Sequence, residues 1–180
     1  MVSIMHANNE IGVLHPLADI GALCKDRGVL FHTDATQSFG KEPIDVHAMG
    51  IDLLSASAHK FHGPKGVGVL YVRRRDPRVR CEALLHGGGH ERGLRSGTLN
   101  VPGIVGMGAA AVLPTDEGVR GLRDRLERGI LSGLDGIEVN GHRTKRLANT
   151  TNLSFTGVDG AALMKRMPDL AVSSSSACTS

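Results

Sequence analysis

The chain has 180 residues, 41% hydrophobic and 22% charged, which suits one ordinary domain or one and a half around a buried core. No apolar run approaches the roughly 20 residues that cross a bilayer, and the formal charge of +3 is spread along the chain. With 3% aromatic residues, no Trp and one Tyr, a base-stacking platform for single-stranded nucleic acid is excluded.

The opening MVSIMHANNEIG has neither the basic start nor the apolar stretch of a secretory signal. It reads instead as a core strand, Val2–Ala7, that begins at once. Pro16 to Gly28 predicts a helix: proline at its start, Leu17, Ile20, Leu23 and Cys24 on one face, and glycine after a basic last turn. Val29–His32 predicts a strand ending at Asp34, and Ile51–Ala58 and Val67–Val72 predict two more. Short apolar strands with a helix between two of them point to an α/β layer with a buried, mainly parallel sheet.

The run Arg73–Arg80 reads as a solvated surface loop. Val101–Val112, rich in Ala and Gly, predicts an internally packed helix. Thr115-Asp-Glu then reads as a helix start, followed by Val119, Leu122, Leu126, Ile130 and Leu134 at helical spacing. Ile137–Val139 and Asn152–Phe155 predict strands, and Ala161–Met167 a helix. The expected division is therefore an α/β domain over residues 1–114 and a smaller α+β unit over 115–180. Cys24, Cys81 and Cys178 form no Cys-x-x-Cys pair, which suits a reducing compartment.

The chemistry concentrates in SASAHKFHGPKG (Ser55–Gly66), where a lysine follows small residues at the end of an apolar strand. Lys60 is either a surface lysine or an amine placed to form a Schiff base, since desolvation and a cationic neighbour free a lysine for nucleophilic work. Ala56, Ser57 and Ala58 leave room for a flat ring, and Ser57 and His59 offer phosphate donors. Asp34, in HTDATQS (His32–Ser38), stands just past a strand's carboxyl end, where open α/β sheets bind ligands. It is either a turn or capping residue, or a buried carboxylate facing a pyridinium nitrogen.

HTDATQS, SASAHKFHGPKG, HGGGHERGLRSGT (His86–Thr98) and VSSSSACTS (Val172–Ser180), in that order, resemble the pyridoxal-phosphate-dependent cysteine desulfurases. These belong to the class V aminotransferase-like group, in the branch that feeds iron–sulfur cluster assembly. The resemblance implies the type I, aspartate-aminotransferase-like fold, with the C-terminal part of its large domain and the start of its small one. It implies pyridoxal 5'-phosphate as cofactor, with Lys60 carrying the Schiff base and moving the substrate's Cα proton. Asp34 would pair with the ring nitrogen and Gln37 with the phenolic oxygen. Asn9, in HANNEIG, would face the same side, and Ser57 and His59 would hold the phosphate. Thr98 would reach the phosphate of a neighbouring copy, which implies a homodimer. Cys178 would take sulfur from L-cysteine as a persulfide, release alanine, and hand the sulfur to an iron–sulfur scaffold or another acceptor, including a transfer-RNA thiolation relay. No resident metal is implied, only contact of Cys178 with an iron–sulfur cluster during transfer. Neither direct nucleic-acid binding nor a membrane is expected, and the compartment is cytoplasmic, or the mitochondrial matrix in a eukaryote.

Two departures stand out. Ser175 occupies a usual glycine position, which implies a stiffer loop. The phosphate loop and ring-stacking histidine of the family would lie upstream, and its carboxylate-binding arginine downstream, so the chain reads as the middle of a desulfurase. Two rival readings remain: a truncated, non-catalytic partner of a full-length homologue, and a metal-dependent hydrolase using His32, Asp34, His59, His62, His86 and His90.

Overall fold

A computed structural model describes residues 1–113 and 118–170. They form two compact units, Met1–His6 with residues 16–113, and Ala7–His15 with residues 118–170.

In the first unit, strands β1 (Val2–Met5), β2 (Phe31–Asp34) and β3 (Leu53–Ser57) lie side by side and parallel. Strand β4 (Gly68–Val72) pairs antiparallel with β3. Side chains alternate between the faces of a sheet, and here the alternation divides apolar from polar. Phe31, Leu54 and Ala56 join Leu17, Cys24, Ala35 and Ile51 in one core, in which Phe31 and Ile51 are wholly buried. On the opposite face, the His32 ring lies 2.7 Å from the Ser3 hydroxyl through Nδ1 and 3.2 Å from the Ser55 hydroxyl through Nε2.

Helix α1 (Leu17–Asp26) covers the apolar face, with Asp19 in its first turn and Lys25 in its last, as the helix dipole favours. Its buried residues are Leu17, Gly21 and Cys24. Leu23, expected on the inner face, is exposed, because the helix seats on its glycine. A Cβ on Gly21 would stand 2.0 Å from the Met49 carbonyl oxygen, so only glycine permits this approach.

Arg73 departs from the solvated loop expected for residues 73–80. Its Nε lies 3.0 Å from the Asp52 carboxylate, and its Nη2 donates to the carbonyls of Val46 and Ile51. Asp52 in turn accepts the Phe31 N–H, so this shielded pair ties the starts of β2 and β3 to the end of β4.

Helix α2 (Val101–Ala111) begins at Asn100, whose side chain accepts the Gly103 N–H. It buries a single face, through Met107 and Ala110 against Ala58 and Phe61, while Val101, Ile104 and Val105 are exposed.

The second unit contains α3 (Gly118–Gly133), the antiparallel pair β5 (Ile137–Val139) and β6 (Leu153–Phe155), and α4 (Gly160–Lys165). Helix α4 starts at Asp159, whose carboxylate accepts the N–H groups of Ala161 and Ala162. The segment Ala7–His15 runs beside residues 145–152, with the Leu147 N–H on the Gly12 carbonyl and the Leu14 N–H on the Lys145 carbonyl.

The apolar residues at helical spacing are not what buries α3. Leu122 and Leu126 are exposed, and the buried residue is Arg123, which donates to the Leu147 carbonyl. Arg146, 2% exposed, gives Nη2 to both oxygens of Glu127, which also accepts the Thr151 hydroxyl. Burial works to raise the Glu127 carboxyl, but hydrogen bonds from Thr151 and Arg146 and the charges of Arg146 and Arg123 outweigh it. The group is left below its ordinary value.

Candidate active site at the carboxyl ends of the parallel strands

Because β1, β2 and β3 run parallel, their carboxyl ends lie along one edge of the sheet. Asp34 ends β2 and Ser57 ends β3, with Asp34 in register beside Ser55. The chain then turns through a single 3-10 turn, Ala58–Lys60, which presents His59 and Lys60.

This turn is held tightly. The carbonyl of the wholly buried Ala58 accepts the N–H groups of both Phe61 and Gly63, and the Ala58 N–H reaches the Val67 carbonyl. A Cβ on Gly63 would stand 2.8 Å from that of Ala58, and one on Gly68 would stand 2.7 Å from the Ala56 carbonyl oxygen. Phe61 is buried against Phe39, with ring centroids 5.0 Å apart. The apolar residue after Lys60 thus anchors the turn, and the polar residues before it remain accessible.

Asp34, read from the sequence as either a turn residue or a buried carboxylate, is exposed. Strand alternation places it on the polar face, opposite α1. Its Oδ1 accepts the Thr36 N–H, an Asx turn that leaves Oδ2 out of the loop's own bonding. The Ser57 hydroxyl and His59 Nδ1 are 2.9 Å apart. Gln37 is half-buried in the turn after Asp34, and its backbone carbonyl accepts a hydrogen bond from Lys41 Nζ at 3.0 Å.

Lys41 was missed in the sequence. Burial, reinforced by the charge of Lys60, pulls its ammonium below the ordinary lysine value, so the two amines stand within electrostatic reach of each other. The available signal was its place four residues after Gln37, in a loop that must fold back under the strand ends.

Thr98 is exposed in a loop where Arg95 Nη1 donates to the Gly97 and Thr98 carbonyls. Asn9 belongs to the second unit, and Cys178 lies outside the described residues.

The edge of the first unit thus offers a carboxylate at the end of β2 and, at the end of the neighbouring β3 and in the turn after it, a hydroxyl, an imidazole and a primary amine. An aldehyde-bearing, phosphorylated pyridine needs an acid for its ring nitrogen, an amine for its carbonyl carbon and donors for its phosphate. The residues present fit that group. Three of the five histidines invoked for a metal centre are engaged in hydrogen bonds: His32 with two serines, His59 with Ser57, and His90 Nδ1 with the Gly97 N–H. Among the described residues no three metal-ligating side chains converge.

The aminotransferase class-V family model matches residues 1–180. Cysteine desulfurase IscS of Anaeromyxobacter dehalogenans is 58% identical over 186 aligned residues, which cover 100% of this chain and 46% of that protein. IscS of Histophilus somni is 56% identical with the same coverage. Among solved structures, the NifS-like protein from Rickettsia africae superposes with a TM-score of 0.87 at 34% identity, over 97% of this chain and 50% of that one. SspA in complex with cysteine superposes at 0.81 and 40% identity, over 97% of this chain and 49% of that one. The chain therefore spans about half the length of the curated relatives it matches. Its α/β fold is the type I fold of the NifS-like desulfurases. With a match running from the first residue to the last, this chain belongs to the aminotransferase class-V family.

Proposed function

We propose that the chain is the part of a cysteine desulfurase that carries the cofactor lysine and the sulfur-accepting cysteine. The observation that carries this reading is the grouping of Asp34, Ser57, His59 and Lys60 at one sheet edge, on a turn held from below by Ala58 and Phe61. In this reading residues 1–114 contribute to the large cofactor-binding domain, and residues 115–180 begin the small one.

Pyridoxal phosphate, when bound, supplies an electron-withdrawing ring that stabilises negative charge on the substrate's Cα. Asp34 keeps a proton on the ring nitrogen, and Gln37 and Asn9 face the ring's oxygen-bearing side. The Ser57 hydroxyl and His59 imidazole bind the phosphate, joined by Thr98 from a second copy in a homodimer. Lys60 Nζ anchors the cofactor and moves the proton at Cα.

Cys178 Sγ, as thiolate, attacks the thiol sulfur of L-cysteine. An S–S bond forms, the substrate's Cβ–S bond breaks with its electron pair left on carbon, and that carbon takes up a proton. Cysteine and a protein thiol become alanine and a protein persulfide, with no outside oxidant or reductant. The persulfide sulfur then passes to an iron–sulfur scaffold or other acceptor protein, in the cytoplasm.

The test is to add pyridoxal phosphate to the purified protein, reduce with borohydride and map the fixed label by mass spectrometry. A label on Lys60, lost in Lys60→Ala, is the expected result, and cysteine then yields alanine with a sulfur adduct on Cys178. A label on another lysine sinks the assignment.

A further inference from the structure

The second unit contains a cleft that the proposed desulfurase chemistry does not use. It encloses about 290 Å³, at the small end of ligand pockets. Arg120, Arg123, Arg128, Arg143 and Arg146 line it, against Asp124 and Glu127. Five cations against two carboxylates leave an excess of three positive charges in one cleft. That equals the formal excess of the whole chain, +3. Such concentration between low-dielectric walls focuses the field on anions.

The carboxylates are already committed. Asp124 lies 2.7 Å from Arg123 Nη2, and Glu127 lies 2.7 Å from Arg146 Nη2. Arg120, Arg128 and Arg143 form no salt bridge among the described residues and are exposed along the cleft. In its wall, Arg146 Nε and Nη1 are buried and find no hydrogen-bond acceptor among the described residues. Buried donors are rarely left unmet, and these two lie on different sides of a guanidinium whose Nη2 is given to Glu127, so Arg146 adds a cation with unmet donors behind the cleft.

We propose that this cleft binds a phosphate-class oxyanion, held by the three free arginines and by Arg146 behind them. Its source is inorganic phosphate or the terminal group of a small phosphomonoester. The site shares no residue with the sheet edge that carries Lys60.

The test is calorimetric titration of the full chain with inorganic phosphate and with glycerol 3-phosphate, each against chloride at equal ionic strength. One saturable site per chain is expected, about tenfold weaker in Arg128→Ala/Arg143→Ala, which removes two charge-assisted partners. Both arginines are exposed, so the melting temperature in chloride should hold. Arg120→Gln/Arg143→Gln repeats the test with side-chain bulk retained. Equal affinity for the two probes assigns recognition to the terminal phosphate group, and preference for the free ion assigns it to inorganic phosphate. Binding no better than chloride, or unchanged in both variant pairs, overturns the proposal. So does binding lost in Ser57→Ala/His59→Ala but kept in the arginine variants, since that places the anion at the sheet edge.

Discussion

The two units are held together by different physics. The first is organised around apolar burial, with Phe31 and Ile51 wholly enclosed and one shielded ion pair, Asp52 with Arg73, at its edge. In the second, Leu147 is buried, but α3 is held by Arg123 on a carbonyl and by Glu127 gripping Arg146 and Thr151. An apolar core tolerates changes of pH and salt. A buried charge network depends on each partner keeping its ionisation state, because a charge left alone is costly. The difference teaches that the two halves should fail under different stresses.

The largest expected effect is on the first unit. Phe31→Ala should cost about 3–5 kcal/mol through lost transfer energy and a residual cavity. Denaturant unfolding should show it, with hydrogen exchange accelerated in β2 and β3 before the second unit is affected. Glu127→Ala comes next, at about 3 kcal/mol, because it leaves the Arg146 charge buried without its carboxylate. Its exchange signature should fall on α3 and residues 145–152, and a loss shared equally by both units would break the contrast.

Acid should separate the halves without mutation. The Glu127 carboxyl sits below its ordinary value of 4.5. Its stabilisation is therefore present above that value and is lost as pH falls through the lower folded value. Exchange protection on α3 should decline there while that of β2 and β3 persists. A smaller effect, about 1 kcal/mol, is expected from Asn100→Ala, which removes the cap of α2. The smallest concerns Lys41. Since burial and then Lys60 lower its value, amine-directed labelling should modify it at a lower pH than an ordinary lysine side chain once access is allowed for. Lys60→Met should move that midpoint part of the way back up.

Much of this architecture was legible in the residues. Pro16 and Gly28 bracket a helix found at Leu17–Asp26, and the apolar runs around Phe31, Leu53 and Val69 became the strands of one mixed sheet. The Lys60 turn was visible because small residues, a lysine and glycines occur together there. Three features were not visible, each for a physical reason. Helical spacing marks a face but not what will cover it, so Leu122 and Leu126 mark an apolar stripe that stays exposed while Arg123 went inside. An arginine run does not show which member has a carboxylate waiting, and Asp52 lies 21 residues before Arg73. Lys41 gained its setting from a loop that folds back, and its spacing from Gln37 alone does not show that the loop buries it. Cys178 falls outside the described residues, so its place rests on the motif around it.

The pedestal beneath Lys60 has a consequence for engineering. With the Ala58 carbonyl doubly occupied and Gly63 wedged against its methyl, the loop backbone cannot be shifted to suit a bulkier partner. The amine can search only the arc swept by its own flexible four-carbon stem. Widening the range of molecules accepted here would therefore have to begin with the walls facing that arc, and a library built on residues 58–63 would mostly yield misfolded protein.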